Sequence, residues 1–573
     1  MTSKEIRNKF LEFFEDRGHK IVSSSSLVPK DDPSVLLTTA GMQQFKPYYT
    51  GDKDPIKDFG SRRTVSIQKS FRTSDIDEVG DESHLTFFEM LGNFSFGDYF
   101  KENSLEWGWD FITKELGISP ERCHVSVFKG DNEIPEDEDS IAIWKLLGIS
   151  DYRIKKAGRK DNFWGPTGNE GPCGPTSEIY IDGVEVWNHV FNEYYCNPDK
   201  TLIPLKQKGV DTGMGLERLV KAIQSVPSIF ETDLFLPLMK FLPKELPEKI
   251  KRIFADHARS VTFLLSDSVM PSNKEAGYIL RRLLRRIFVY MHIYKLKPDT
   301  LEELMKIIFE KYGEIYQELS KNRNNIINSM WEEYERFNKT LGYGIKELEK
   351  LEKVDAISAF TLYESYGLPY EIIKELSGSR AKNLHKKDFE EEFKKHQEIS
   401  RAGAIKKFGG HGIDSVQNKE EAEKMTRLHT ATHLLHQALH DVLGSKAEVK
   451  QMGSDITEER TRFDFTFPRK LTPEEIKKIE DIVNEKIKMN LPVTAKKMSK
   501  ETAFQLGARA FFKEKYKEEV NVYSIGDPDP SKAYSKEFCG GPHVNSTGQI
   551  GHFKITKEES SSAGIRRIRA VVE

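Results

Sequence analysis

The chain holds 573 residues with a net charge of −3, 38% of them hydrophobic and 31% charged. That length exceeds one hydrophobic core, so several domains are expected, and the balanced charge excludes a surface given over wholly to nucleic acid; an RNA partner needs a local patch. Four scattered cysteines, Cys123, Cys173, Cys196 and Cys539, without a C-x-x-C pair, exclude a disulfide framework and fit a reducing cytoplasm.

No apolar run reaches membrane-spanning length, no segment repeats, and the charged N-terminus is not a signal peptide. MTSKEIRNKFLEFFEDRGHK predicts an amphipathic helix, with Ile6, Phe10, Phe13 and Phe14 at helical spacing and a stop near Gly18. IVSSSSLVP and LLTTAGMQQF follow. From Ser66 to Lys101 an apolar-containing run ends at Phe71-Arg72. A polar loop, Thr73 to Ser83, carries Asp75, Asp77, Glu78, Asp81 and Glu82, and a Phe-rich run begins after His84. Two strand-like runs around one loop predict an antiparallel hairpin, with Arg72 at the loop entrance and Phe88 across from it. A guanidinium fork beside a flat ring suits a phosphate and a base, although an ordinary core hairpin with a surface arginine fits the same pattern.

GDNEIPEDEDS (130–140) predicts a solvated loop. NFWGPTGNEGPCGPTSEIYID (162–182) predicts a rigid Gly/Pro loop in which Trp164 can wall a small pocket. VEVWNHVFNEY (184–194) alternates like a buried strand and puts Asn188 on a face with Val186 and Val190, where its amide needs a partner. In GVDTGMGLERLVKAIQ, Asp211, Gly213 and Gly215 precede a helix bearing Glu217 and Arg218.

From about Pro237 the pattern becomes helical. Arg281, Arg282, Arg285 and Arg286 share a helix face, which can track phosphates or simply face solvent. SRAGAIKKFGGHGIDSVQNKEEAEKM (400–425) predicts a linker. In the amphipathic helix TRLHTATHLLHQALHDVL, His429, His433, His436 and His440 form one stripe, and histidines at i and i+4 can share a metal. CGGPH adds Cys539 and His543, so His429, His433, Cys539 and His543 make four ligands suited to Zn²⁺. No glutamate lies between His429 and His433, which argues against an H-E-x-x-H peptidase. Gln451 precedes an alternating strand at 462–467. The last strand carries Arg566, Arg567 and Arg569, either for phosphate or as the edge of a sheet.

The string from Phe71-Arg72 through HLTFFEMLGNFSFGDYF resembles motif 2 of class II aminoacyl-tRNA synthetases, in the form found in alanyl-tRNA synthetases. Arg17-Gly18 with SSSLVP resembles motif 1, LLTTAGMQQF resembles the alanine enzymes' segment bordering the ATP site, and GMGLERL resembles motif 3. The histidine helix and CGGPH together resemble the editing domain shared by alanyl- and threonyl-tRNA synthetases. The resemblance covers nearly the whole chain. It implies an α+β multidomain protein: a class II antiparallel sheet with flanking helices (1–236), a helical tRNA-recognition domain (237–400), a linker (401–425) and an α+β zinc-binding editing domain (426–573).

The implied partners are ATP, Mg²⁺ bridging its phosphates, L-alanine and the acceptor stem of tRNA(Ala), with Zn²⁺ at the editing site and no membrane. Arg72 is expected on the α-phosphate, Arg218 on the γ-phosphate, Phe88 on adenine and His84 near the phosphates. Trp164 and Val190 would meet the alanine methyl group, with Asn188, Asp211 and Gly213 around its ammonium. Gln451 falls in the editing pocket. The G·U pair that the family reads with an asparagine and an aspartate meets His292 and Glu364 here; glutamate can still accept from guanine's amine. Relatives' β-barrel and C-terminal coiled coil have no counterpart, which implies a monomer.

Two sites on one chain have a physical reason. Serine and glycine differ from alanine by one small group, worth about 1–3 kcal/mol in an apolar pocket, and a hydrolytic site makes up the missing accuracy. An editing-only deacylase and a non-catalytic RNA-binding protein are the competing readings. Arg72, Asn188, Asp211 and Arg218 argue against the first, and the four metal ligands against the second.

Overall fold

The computed structural model describes every residue except 30, 31, 33, 34, 167, 408–418, 445–448, 511–517 and 563. It divides into two units, Met1–Lys386 and Lys387–Glu573.

The first unit is built on a nine-stranded sheet: β1 (Lys20–Ile21), β2 (Arg63–Phe71), β3 (Phe87–Phe96), β4 (Cys123–Phe128), β5 (Ile154–Ala157), β6 (Phe163–Trp164), β7 (Gly171–Ile181), β8 (Val184–Cys196) and β9 (Leu202–Gly215). Its order is β1-β2-β3-β9-β8-β7-β4-β5, with β6 paired to β7. The pairs are antiparallel except β1 with β2 and β4 with β5. β2 and β3 are the predicted hairpin, with Ser70 opposite Phe88 and Phe71 opposite Phe87. The predicted Gly/Pro loop over 162–182 is corrected, since from Gly171 it is strand β7. A register shift between Cys173 and Thr176 takes up the Gly174-Pro175 step. Gly174 has no substitute there: a Cβ would lie 1.8 Å from the Phe191 carbonyl oxygen.

Helix α1 (Ser3–Glu15) starts with a capping box between Thr2 and Glu5 and buries Ile6, Phe10 and Phe14. Phe10 meets Phe111 and Trp187 edge to face at 5.4 and 5.9 Å. Arg7 pairs with Glu89 of β3, both buried, and Glu89 also accepts from the Tyr316 hydroxyl at 2.9 Å. Helices α2 (Leu216–Gln224), α3 (Glu248–Ser266), α4 (Glu275–Ile293), α5 (Arg323–Lys350) and α6 (Ala356–Tyr366) follow. α3 is core: Phe263 stacks on Phe87 at 4.2 Å, Arg259 pairs with Glu217 at 2.8 Å, and Asp256 accepts from Thr86 N at 2.8 Å. These buried charges are paired across position 236, Glu217 with Arg259 and Asp256 with Thr86. The acidic stretch 130–140 is only partly solvated. Asp137 is buried, caps a helix through Ser140 N and pairs with Lys101 at 2.7 Å.

In the second unit, residues 408–418 of the expected linker 401–425 lie outside the described residues. Helix α7 (Lys386–Lys407) runs into it and α8 (Lys419–Leu443) begins within it. Leu428, Leu435 and Leu439 of α8 join Ile479 and Val483 of α9 (Pro473–Lys488) in one core. That core lies on the antiparallel sheet β10 (Gln451–Ile456), β11 (Thr461–Thr466), β16 (Ile565–Val572), β15 (Phe553–Ser562). A second sheet is β12 (Val493–Ser499), β13 (Glu519–Ile525), β14 (Ser535–Phe538). β16 is an inner strand, and its arginines pair with carboxylates of the strands on either side: Arg566 with Glu558 at 2.6 Å, Arg567 with Asp464 at 2.7 Å and Arg569 with Glu559 at 2.9 Å.

Candidate functional site

Period-2 alternation puts Val186, Asn188 and Val190 of β8 on one face, and Asp211, Gly213 and Gly215 of β9 on the same face beside them. There the sheet floors a cavity of about 440 Å³. All nine residues expected around ATP and alanine line it: Arg72, His84, Phe88, Trp164, Asn188, Val190, Asp211, Gly213 and Arg218.

At one end the hairpin register brings the Arg72 guanidinium over the Phe88 ring, 4.9 Å from its centroid. Arg72 makes no ion pair among the described residues. Arg218, in the first turn of α2, meets Glu185 only at 3.4 Å. Two cations so lightly engaged, beside a helix N-terminus, suit an anionic ligand. His84 faces Asp81 through Nδ1 and Glu78 through Nε2 at 2.9 Å. The Asp81 hydrogen bond raises its pKa from the ordinary imidazole value, against an opposing effect of burial.

At the other end the groups are acceptors. Asp211 is 5% exposed, and burial pushes its carboxyl up to about 8. Asn188 donates from Nδ2 to Glu178 at 3.0 Å, while its Oδ1 is buried without a partner. The unpartnered Asn188 Oδ1 beside the buried Asp211 carboxyl defines a cation site. Trp164, Val190 and Met90 supply apolar wall. Sequence reasoning missed Glu178, Glu185 and Met90. Only the strand register, which places Glu178 directly opposite Asn188, could have singled out the first.

The arginine row of α4 is taken up inside the fold rather than left facing solvent. Arg281 and Arg285 converge on buried Glu333 at 3.3 and 2.8 Å, and Arg285 also donates to Gly367 O at 3.1 Å. Arg282 pairs with Glu371 and with Asp77 of the hairpin loop, and Arg286, 2% exposed, donates to Ile76 O of that loop at 2.7 Å. Lys386 also reaches Asp77. His292, in the last turn of α4, and Glu364, on α6, are exposed.

In the second unit, the ligand atoms of His429, His433, Cys539 and His543 all lie within 4.8 Å of one another. Cys539 Sγ is 3.3 Å from Nε2 of both His429 and His543. The far nitrogens are occupied: His429 Nδ1 donates to Pro542 O at 3.1 Å, His543 Nδ1 meets Thr430 Oγ1 at 3.2 Å, and His433 Nδ1 donates to Glu537 at 2.6 Å. Each ring therefore turns Nε2 inward, and that of His433 is buried without a partner. Burial pushes the Cys539 thiol up, but His429, with His433 and His543 beside it, holds it well below its ordinary value. His436 lies outside the cluster and holds the other oxygen of Glu537 at 2.7 Å. Gln451 opens β10, half-buried, opposite Phe465.

A model of class II tRNA synthetases of the A type matches residues 5–460, and one of the threonyl and alanyl tRNA synthetase second additional domain matches 520–569. An alanine–tRNA ligase of Borrelia hermsii is 42% identical, with all of both chains covered. One of Treponema denticola is 43% identical, covering 100% of this chain and 99% of the relative. One of Dehalococcoides mccartyi is 34% identical, covering 100% and 80%.

Proposed function

This chain belongs to the alanine–tRNA ligases of class II, and from that membership we propose the roles of its two sites. In the first-unit pocket ATP, carried as its Mg²⁺ complex, lays adenine on Phe88. Its α-phosphate meets Arg72 and its γ-phosphate meets Arg218, with His84 beside the phosphates. The alanine ammonium sits between Asn188 Oδ1 and Asp211 near Gly213, and its methyl group lies against Trp164 and Val190. The alanine carboxylate attacks the α-phosphorus and pyrophosphate leaves, giving alanyl-adenylate. The terminal ribose hydroxyl of tRNA(Ala) then attacks the alanyl carbonyl and AMP leaves. No protein nucleophile takes part; in-line placement and cations facing the developing charge do the catalysis. What carries this reading is one cavity with two lightly engaged arginines at one end and, at the other, the unpartnered Asn188 Oδ1 beside the buried Asp211 carboxyl. Exchange of pyrophosphate into ATP tests it: the reading requires exchange that depends on alanine and proceeds without tRNA.

For the second unit we propose hydrolysis of seryl- and glycyl-tRNA(Ala). Three imidazoles and a low-pKa thiol fit Zn²⁺, with Nε2 atoms and Sγ converging while carbonyl, hydroxyl and carboxylate groups fix each ring. His429, His433, Cys539 and His543 would hold it, and when bound it supplies Lewis-acid polarisation of the mischarged ester. Glu537 orients His433, and Gln451 lines the substrate side. For the tRNA acceptor stem, Glu364 and His292 offer exposed polar groups. Arg281, Arg282, Arg285 and Arg286 act from beneath, by fixing α4, α5 and the hairpin loop that carry the RNA face. Deacylation of seryl-tRNA(Ala) by the Cys539→Ala variant tests the editing half; clearance at the wild-type rate would overturn it.

A further inference from the structure

One row of the central sheet runs across four strands. Ser126 of β4 is opposite Glu178 of β7, which is opposite Asn188 of β8, which is opposite Gly213 of β9. Residues opposite one another share a face, so the three side chains meet in line at the amino-acid end of the pocket. Glu178, 4% exposed, is saturated. Its Oε2 accepts from Ser126 Oγ at 2.8 Å and from Tyr180 Oη at 2.6 Å, and its Oε1 accepts from Asn188 Nδ2 at 3.0 Å.

An asparagine amide is nearly symmetric in shape, and only its hydrogen bonds decide which end points where. A carboxylate cannot donate. With Oε2 fixed by two hydroxyls, Oε1 admits only the NH₂ end of Asn188, and Oδ1 is turned to the other side. There it is buried without a partner, on the face it shares with Asp211. If the amide were reversed, an NH₂ group would face the substrate, and the site would repel an ammonium instead of accepting one.

We propose that Glu178 is the positioning residue that sets the polarity of the amino-acid pocket: by fixing the Asn188 amide it makes the pocket an acceptor for a primary ammonium. This rests on the alanine-activating reading of the same cavity. Glu178 lines the cavity, but both its oxygens are engaged by Ser126, Tyr180 and Asn188, and it acts through Asn188.

The test is pyrophosphate exchange on the full chain, with alanine and ATP varied separately. Glu178→Ala frees the amide, and the alanine KM rises at least tenfold while the ATP KM stays within twofold. Glu178→Asp keeps the charge but withdraws it by one methylene. It gives a rise of the same kind in a chain that retains a buried carboxylate, which covers a folding failure of Glu178→Ala. Glu178→Gln keeps the shape: its amide oxygen takes the Ser126 and Tyr180 hydroxyls and its NH₂ turns to Asn188, whose amide must then reverse. Its alanine KM therefore also rises at least tenfold, at unchanged side-chain volume. Wild-type exchange with an unmoved alanine KM in Glu178→Asp overturns the inference, as does a parallel rise in both KM values or a Glu178→Gln chain with the wild-type alanine KM. A wild-type chain with no alanine-dependent exchange overturns instead the function on which the inference rests.

Discussion

Asp211→Asn removes a carboxylate that is 5% exposed and has no hydrogen-bond partner among the described residues, its pKa pushed from 3.8 to about 8 by burial. Between those two values the folded chain holds a proton that the unfolded chain releases. Stability is therefore lost as pH rises through that window. At 1.36 kcal/mol per pK unit, the cost of Asp211 is at most about 4 kcal/mol at pH 7 and about 2 kcal/mol at pH 5. Asparagine carries no charge at either pH, so the substituted chain should resist denaturant better than wild type, and by more at pH 7 than at pH 5. It should also lose alanine-dependent exchange, because the ammonium loses its counter-charge. A second readout needs no mutation. A carboxyl with a pKa of about 8 is about 0.9 protonated at pH 7 and about 0.2 at pH 8.5, and alanine binding ionises it. Calorimetry in buffers of different ionisation enthalpy should find most of a proton released per alanine at pH 7 and little at pH 8.5. Equal release at the two pH values, or a variant less stable than wild type at pH 7, would refute the assignment of Asp211.

Cys539→Ala should leave alanine activation intact while seryl-tRNA(Ala) accumulates and the zinc recovered per chain, read by plasma emission, falls well below one. Arg7→Met strands the buried Glu89 carboxylate and should cost about 3–5 kcal/mol in equilibrium unfolding; a loss under 1 kcal/mol would mean that the pair is not buried as described. Gly174→Ala cannot fit its Cβ 1.8 Å from Phe191 O, so β7 must leave β8 and Trp164 loses its support. The expected outcome is loss of alanine-dependent exchange and a lowered melting temperature, against an unchanged melt if β7 can yield without harm.

The hairpin was legible because its chemistry is local: Phe71-Arg72, a turn-rich loop and an aromatic run fix Arg72 beside Phe88 whatever surrounds them. Asn188 was legible because a polar residue stood on an apolar strand face, and the metal ligands because they fall on one helix stripe and one tight turn. Glu178 and Glu537 were not. Each is one acidic residue among 90, and its meaning lies in which strand ends up opposite or which ring points at it. The arginine row of α4 suggested a face for tRNA phosphates because helical spacing says nothing of the carboxylates Glu333, Glu371 and Asp77 that arrive from other elements. β7 hid behind two prolines, which a strand tolerates here through its bulge. Nor does composition show how far the flanking helices extend into the expected linker.

The nucleotide clamp is tested most directly by single-turnover formation of alanyl-adenylate from saturating alanine and ATP, in wild type and in Arg72→Ala and Arg218→Ala chains. Loss of either guanidinium should slow the step by about 10² or more, since each faces charge on the triphosphate in a site shielded from water. Adenylate formed at the wild-type rate in either variant would contradict the account at its root.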